Sequence, residues 1–426
     1  MRLSSKWLRT AAACVAVASS LSAAPVRALP AGVLSSDNVE LVATIPDPGM
    51  IGGRIIGDTL YVTGSQGLRI YDVSRGVPVP KGALQLPHFE NEDVDTNGRI
   101  LLIAADHALS YPSLLYVVDV SNPSLPILTA PPLSLGDAHT ASCINDCSYA
   151  WIGGYSDWIE VIDLRDPSQP RASTKFPVPG RTHDVQVDES GVAWASTSRG
   201  LFGFTTANPE KPVLVAAKPN NQSGSFKNNF ILHNSLRPNA LSARTDKMAD
   251  STVDRGELLL VTEENWLAVS NGLCANDGRF QTGWYHTVNG SPVVERLDDF
   301  NLSGGTLPPT LAPDRNPQPV ISCSSHYLDY RDGIAAVAWY EQGVRFLDVS
   351  NPRDIRQVGY WLPPATEAWQ TLFHREYVYV FDYERGLDVL KFTGSSASSE
   401  SLAPHYNLAS PIRAPSPQWG YACRIS

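Results

Sequence analysis

Four histidines stand at comparable places along the sequence, each close to the start of an apolar segment that is typical of a β-strand. They are His139, His183, His233 and His326. Neutral imidazole is a good ligand for copper, iron, zinc and nickel. Four imidazoles brought to one point would therefore form a transition-metal site, and we predict that these residues bind such an ion.

Acidic residues lie where they could assist the histidines. Glu90 and Glu92 occur at the equivalent place one repeat earlier, and either could be a carboxylate ligand or an acceptor that orients an imidazole. Asp184, beside His183, could position that imidazole or cap a turn. We treat these three acids as candidate catalytic residues. The segment Glu263-Glu264-Asn265 follows a strand of the fifth repeat. It could reach the same rim as the histidines, and a solvated loop is the favoured interpretation of it.

The elements that carry the histidines belong to an internal repeat. Leu115 to Pro123 (LYVVDVSNP) and Val344 to Pro352 (VRFLDVSNP) are close copies, and Ile159 to Pro167 and Leu201 to Pro209 are looser ones. Equivalent positions at Asp72, Asp119, Asp163 and Thr205 are 47, 44 and 42 residues apart. Each copy is an alternating strand followed by a proline turn and a second strand, and two more strands precede it. Four strands per repeat is the composition of a propeller blade.

The repeats predict an all-β fold, a single β-propeller over residues 37–393 with seven four-stranded blades; six or eight blades remain open alternatives. The strand from Val39 to Pro46 has no blade before it, so we expect it to complete the last blade and close the ring. The fifth blade has room for insertions at about 274–282 and 301–318. Residues 394–426 form a Ser-rich tail that we expect to be loosely ordered.

The DVSNP pattern resembles the LVIVD repeat of exported bacterial propeller proteins. The copies at Asp119 and Asp348 match closely, whereas Thr205 and Lys391 replace the aspartate. In a propeller the first strand of each blade lines the central channel, so the four histidines would form part of a ring around the axis. That arrangement is similar to the axial histidines of two propeller enzyme groups, the iron-dependent carotenoid-cleaving oxygenases and the selenium-binding protein and methanethiol oxidase group. The similarity implies a copper- or iron-dependent oxidoreductase that acts on a small molecule.

Three other interpretations remain. Each histidine could be structural and bond the backbone of the neighbouring blade. The protein could be a non-catalytic propeller that binds a cell-surface ligand through its Cys274 to Gln318 insertion. A metal-free hydrolase or lyase could use the histidines as acid and base, although four exceed what such chemistry needs.

Composition and the first residues limit location and partners. The formal charge of -10 argues against nucleic acid as a partner, because binding it requires clustered Lys and Arg. Residues 1–28 predict a cleavable export signal, with a basic start before the apolar run Ala11 to Ala24, and no segment predicts a membrane span. We expect a monomer that works in the periplasm or outside the cell. Disulfides are expected there, and Cys143 and Cys147 are close enough to staple a turn, whereas pairing among Cys274, Cys323 and Cys423 is open.

Overall fold

The computed structural model describes residues 33–86, 93–106, 112–219, 230–242, 256–265, 278–289, 291–302 and 324–395. All of them belong to one compact unit. Within these ranges the chain is almost entirely β-structure, with a short 3-10 helix at Ala240–Ser242. No helix in the described part of the chain is long and apolar enough to span a membrane.

The strands form four-stranded antiparallel units that follow one another along the chain. The early strands are β1 (Leu34–Ser35), β2 (Val39–Ile45), β3 (Met50–Ile56), β4 (Thr59–Gly64), β5 (Gly67–Asp72), β6 (Val79–Gln85), β7 (Asp93–Thr96), β8 (Ile100–Ala105), β9 (Ser113–Asp119), β10 (Ile127–Leu128), β11 (Leu133–Leu135), β12 (Thr140–Ile144), β13 (Tyr149–Gly153), β14 (Trp158–Asp163) and β15 (Arg171–Pro177). The later strands are β16 (Thr182–Val187), β17 (Val192–Thr197), β18 (Gly200–Thr205), β19 (Leu214–Pro219), β20 (Phe230–Leu236), β21 (Leu258–Asn265), β22 (Phe280–Val288), β23 (Ser291–Phe300), β24 (Leu328–Arg331), β25 (Ile334–Ala338), β26 (Val344–Asp348), β27 (Arg356–Leu362), β28 (Ala368–His374), β29 (Tyr377–Asp382) and β30 (Gly386–Phe392).

Seven such units can be traced in the described part of the chain, and we number them in sequence order. Units one to seven begin at β3, β7, β12, β16, β20, β24 and β28. Units four and five are joined into one eight-stranded sheet by a parallel bridge between Ala217 and Val293. The first strand of each unit contacts the first strand of the next, and β28 of unit seven contacts β3 of unit one. The units therefore form a closed ring, and the predicted all-β propeller fold is confirmed.

The ring is closed by the N-terminal strand, as predicted. Strand β2 pairs antiparallel with β30, from Val39 opposite Phe392 to Ile45 opposite Leu387. The Thr44 hydroxyl donates to Asp388 Oδ1 at 2.6 Å across the same pair. The propeller also starts earlier than residue 37, because β1 adds to β27 of unit six with Leu34 opposite Leu362.

The repeated sequence motif supplies the contacts between neighbouring units. The aspartate at its centre caps its own turn, as where Asp119 Oδ1 accepts from the Ser121 N–H at 2.8 Å. The proline carbonyl then accepts from the preceding unit: Trp151 Nε1 donates to Pro209 O at 3.1 Å, and the Thr129 hydroxyl donates to Pro167 O at 2.6 Å. Conservation of the motif within the chain is thus explained by turn formation and by unit-to-unit hydrogen bonding.

Apolar side chains fill the space between units. One cluster joins Tyr61 and Ile70 of unit one to Leu101 and Ile103 of unit two. Second strands such as β8 are buried on both faces, which explains their continuous apolar sequence. Four tryptophans predicted to be core are buried, with at most 1% of their surface exposed: Trp151, Trp194, Trp339 and Trp361.

Some sequence predictions are corrected or lie outside the described residues. Strand β22 begins at Phe280, so the end of the loop predicted at 274–282 is wrong, because that segment pairs with β21 and β23. Cys143 and Cys147 form the predicted disulfide across a tight turn. Residues 1–28, 303–318 and 396–426 fall outside the described ranges, as do the other cysteines, so those predictions stay predictions.

Candidate metal centre

The four histidines lie together at one end of the ring of first strands. His139 immediately precedes β12, His183 and His233 lie within β16 and β20, and His326 is two residues ahead of β24. Because successive first strands are neighbours and run in the same sense, residues near their starts meet at one mouth of the channel. Adjacent imidazole centroids are 4.1, 4.2 and 3.8 Å apart, and all four side chains are buried. The sequence therefore placed these residues correctly relative to one another.

Two of the imidazoles are oriented by hydrogen-bond acceptors at Nδ1. His139 Nδ1 is 3.1 Å from Asp106 Oδ2, and His326 Nδ1 is 2.7 Å from the Trp369 carbonyl oxygen. A carbonyl oxygen accepts only, so His326 Nδ1 must carry a proton. In the neutral imidazole this leaves the lone pair on Nε2, the tautomer needed for metal binding through that atom.

A fifth side chain, Glu264, completes the cluster. It lies near the end of β21, and the antiparallel hairpin returns it beside the start of β20. Its Oε1 accepts from the Tyr340 hydroxyl, and its Oε2 is 3.4 Å from His183 Nε2 and 4.0 Å from His233 Nε2. The side chain has no exposed surface. The interpretation of Glu263-Glu264-Asn265 as a solvated loop is therefore wrong, because the segment is the end of β21 and the side chains of Glu263 and Glu264 are buried.

The donor atoms are spaced as ligands of one ion would be. His139 Nε2 and His183 Nε2 are 2.8 Å apart, and ligand atoms of His183, His233 and Glu264 all lie within 4.8 Å of one another. Two atoms each about 2.1 Å from a metal are separated by about 3.0 Å at a right angle and about 3.4 Å at a tetrahedral angle. The shorter distances in the cluster match these separations. Without a cation, one of the two close nitrogens must carry a proton.

Two of the three candidate catalytic acids cannot be placed, and the third makes contacts elsewhere. Glu90 and Glu92 lie outside the described residues. Asp184 accepts from Asn234 Nδ2 at 2.6 Å and from the Val185 N–H at 2.8 Å. The Asn234 contact links unit four to unit five, so Asp184 helps to hold two histidine-bearing strands in position.

One of the four histidines, His326, has the structural contact that was considered as an alternative to metal binding. His326 bonds the backbone of the neighbouring unit through Nδ1, as that alternative predicted. His139 instead contacts the side chain of Asp106, and Tyr155 donates to the same carboxylate oxygen at 3.0 Å. A backbone hydrogen bond at Nδ1 and a ligand role at Nε2 are compatible, so His326 can serve both purposes.

Comparison with known families and folds decides the class of the protein. A family model described as LVIVD repeat matches residues 113–130, the stretch that contains β9 and β10. The β-propeller domain of Cps50 (Swd1) from Myceliophteria thermophila superposes with a TM-score of 0.57 at 13% identity, covering 83% of this chain and 100% of that one. The chain is a β-propeller that contains an LVIVD repeat.

Two further solved structures share the fold of this LVIVD-repeat propeller. Hydrazine synthase from Kuenenia stuttgartiensis has a TM-score of 0.56 at 14% identity, covering 83% of this chain and 98% of that one. A protein of unknown function from Desulfotomaculum acetoxidans has a TM-score of 0.51 at 12% identity, covering 73% and 84%. At these identities the similarity concerns the fold alone. Among curated proteins no sequence matches significantly.

Most of the polar residues that approach the histidines from the second strands were not predicted from the sequence. Asp106 follows β8, Tyr155 follows β13 and Tyr340 follows β25, while Glu264 lies near the end of β21. In an antiparallel hairpin the end of the second strand returns beside the start of the first. In this LVIVD-repeat propeller, polar residues just after each second strand are thus the signal that identifies the remaining side chains of the mouth.

Residues near the first strands of units one and seven are not part of the cluster. Met50 of unit one is buried in an apolar cluster, and Glu367 of unit seven accepts from Trp369 Nε1 at 3.3 Å. Burial raises the pKa of Glu367 well above its usual range. His286 stacks on Trp284, and His374 Nε2 is 2.9 Å from Asp58 Oδ1.

Proposed function

We propose that His139, His183, His233, His326 and Glu264 bind one transition-metal ion, copper or iron, and that the protein is an oxidoreductase acting on a small molecule. The observation that carries this proposal is that four buried imidazoles contact one another in series, and that His183, His233 and the buried carboxylate of Glu264 offer ligand atoms within 4.8 Å of one another. The fold positions these groups from four successive first strands and one hairpin, so the site does not depend on a flexible loop.

The charge of Glu264 supports the presence of a cation. Among the described residues no Lys or Arg forms an ion pair with this carboxylate, and its Oε2 faces only the imidazoles of His183 and His233. Burying an ionised carboxylate away from water is costly unless a cation or several hydrogen bonds compensate. A bound metal ion would compensate it, and imidazole nitrogen with one carboxylate is a donor set suited to copper and iron.

The surrounding side chains would prepare the ligands for that ion. Asp106 and the Trp369 carbonyl hold His139 and His326 with Nε2 directed to the cluster. The Tyr340 hydroxyl fixes Glu264 through Oε1 and leaves Oε2 for coordination. The metal would supply one-electron chemistry, while the protein supplies orientation and excludes water from the buried ligands.

Location outside the cytoplasm is part of this proposal. The basic and apolar start of the chain and the disulfide between Cys143 and Cys147 both favour an oxidising compartment. The alternative function, ligand binding through the fifth-unit insertion, stays a prediction because most of that insertion lies outside the described residues.

Metal analysis of the purified protein tests the proposed function. Protein from a metal-replete culture should carry close to one copper or iron ion per chain, measured by mass spectrometry of the elements. The double variant His183→Ala/His233→Ala should lose that metal while its circular dichroism spectrum stays that of a β-fold.

A matched control uses histidines outside the cluster. His286→Ala and His374→Ala should keep the metal, because neither ring contacts the four imidazoles. Absence of stoichiometric metal from the wild type would refute the proposal. Stoichiometric zinc alone would leave the site in place and refute the redox assignment, because zinc has no redox chemistry.

A further inference from the structure

A cleft lies at the rim between units three and four, next to the histidine cluster. Its walls are formed by residues 155–158, by residues 178–181 and by the hairpin residues Ser198 and Arg199, and its volume is about 800 Å³. A cavity of this size suits a small organic molecule. The walls are tied together because the Thr182 N–H donates to Ser156 O at 3.0 Å and the Ser198 N–H donates to Arg181 O at 2.9 Å.

Two arginines that form no ion pair with a described residue line this cleft. Arg181 and Arg199 are exposed, and neither guanidinium forms an ion pair or hydrogen bond with any described residue. Most other described arginines of this acidic chain are bound to carboxylates, as Arg165 and Arg171 are to Asp163. The exposed carboxylate of Asp157 also lines the cleft. Two guanidiniums and one carboxylate leave an excess of positive charge in this cavity of a protein whose net charge is -10. Guanidinium groups recognise planar oxyanions through paired hydrogen bonds.

The local backbone is adapted to this arrangement. Gly180 has a φ of +87°, and a Cβ built on it would lie 2.8 Å from Arg199 Cγ. A side chain at this position would collide with the stem of Arg199, so glycine allows the arginine to lie against the turn that precedes β16. An apolar ring is also present, since Trp158 lines the cleft with 38% of its surface exposed.

One side chain connects the cleft to the histidine cluster. Tyr155 lines the cleft, and its hydroxyl donates to Asp106 Oδ2 at 3.0 Å and lies 3.3 Å from His139 Nδ1. Arg181 directly precedes β16 and is two residues before His183 in the sequence. A molecule in the cleft would therefore be separated from the candidate metal ligands by the width of one tyrosine.

We propose that this cleft binds a small organic oxyanion, a carboxylate or sulfonate, whose charged group is held by Arg181 and Arg199 beside the Trp158 ring. The inference rests on the proposed function only in assigning this anion as the class of substrate for the neighbouring site. Binding itself requires no metal, because no described ligand candidate lines the cleft.

Titration calorimetry with benzoate tests this inference. The wild-type protein should bind benzoate saturably, inorganic sulfate should compete, and uncharged benzyl alcohol should not. Arg181→Gln and Arg199→Gln should each weaken binding by about tenfold or more, as expected for the loss of a charge-assisted hydrogen bond. Arg353→Gln is the matched control, because Arg353 is also exposed and free of ion pairs with described residues but lies in the turn after β26; it should bind as the wild type does.

Two results would overturn the inference. One is no saturable binding of benzoate or sulfate up to about 10 mM, a range that covers weak binding. The other is that both cleft variants bind benzoate as the wild type does. The same titration on metal-free His183→Ala/His233→Ala protein separates this inference from the proposed function. Anion binding in a wild type that carries no metal would refute the proposed function alone. A metal-loaded wild type that binds neither anion would refute the cleft assignment alone.

Discussion

At the scale of single residues, the candidate metal centre is defined by the hydrogen-bond partners of its polar atoms. His326 Nδ1 donates to the Trp369 carbonyl, His139 Nδ1 lies beside Asp106, and the Tyr340 hydroxyl donates to Glu264. Ligand atoms of His183, His233 and Glu264 lie within 4.8 Å of one another. The neighbouring Glu263 points to the other side of its strand, where it accepts from Gln281 Nε2. Two adjacent glutamates therefore have separate roles, which makes them a natural pair for mutation.

Replacing Glu264 by Gln should weaken metal binding. The amide oxygen can still accept from Tyr340, but the negative charge facing His183 and His233 is lost. We expect the metal dissociation constant to rise by about 10- to 100-fold, the range seen when groups supporting a metal site are removed. Calorimetric titration of metal-free protein with Cu²⁺ measures the change.

Glu263→Gln is the control for that experiment, because Glu263 is buried yet directed away from the cluster. It should bind the ion as the wild type does. Equal affinities for wild type and Glu264→Gln would show that Glu264 is not a ligand.

At the scale of strands, aspartates in the first strands connect one unit to the next. Asp329 Oδ2 of unit six accepts from the Phe373 N–H of unit seven at 2.7 Å. Asp93 and Asp95 of unit two accept in the same way from the N–H groups of Ala141 and Cys143 in unit three. These bonds fix the relative height of neighbouring first strands, and so the relative height of the histidines that the strands carry.

The pH dependence of stability should reveal the strand contact of Asp329. Burial raises the pKa of this carboxyl from 3.8 to about 6. Between these values the folded state binds more protons than the unfolded state, so the free energy of unfolding falls as pH rises from about 4 to about 6 and is then constant. The contribution is about 3 kcal/mol at most. Urea unfolding at pH 4 and pH 7 should show that the wild type loses more stability over this interval than Asp329→Asn does.

Asp72→Asn is the opposite-sign control for this measurement. A hydrogen bond from the Ser74 side chain lowers the pKa of Asp72, so its contribution is present above the unfolded pKa and lost as pH falls. If wild type and Asp329→Asn have the same pH profile, the carboxyl of Asp329 is not titrating in this range.

At the scale of the whole molecule, stability depends on a closed ring. The first strands contact one another around the axis, and β2 supplies the outer strand of unit seven. Closure leaves β30 paired on both sides and makes β2 the outer edge strand of unit seven. The cluster of histidines depends on the same closure, because their spacing is set by the ring.

Deleting residues 33–45 should destabilise the entire propeller. The deletion removes β1 and β2 and exposes β30, and the loss of several half-buried Val, Leu and Ile side chains should cost about 5 kcal/mol or more. Deleting residues 33–36, which removes only the two-residue β1, should cost much less. Urea midpoints measure both effects, and an unchanged midpoint in the longer deletion would contradict the role assigned to β2.

The fold and the four histidines could be predicted from the sequence because both depend on periodicity along the chain. A repeat of four strands determines where each first strand begins, and His139 and His183 occupy that position in successive repeats. Glu264 and Asp106 could not be assigned in the same way, because they approach the histidines only through the return of a hairpin and the contact between units. In Glu263-Glu264 the sequence also cannot tell which side chain faces the axis, since a shift of one residue reverses a strand.

The pairing of β2 with β30 also determines when the protein can finish folding. Thr44 and Asp388, which are hydrogen-bonded across this pair, are separated by 344 residues of sequence. During synthesis β2 therefore has no partner strand until almost the entire propeller has been translated. Pairing of such distant segments carries a large entropic cost and is slow. The pair that closes the ring can therefore form only after Phe392, the last residue of β30, has been translated.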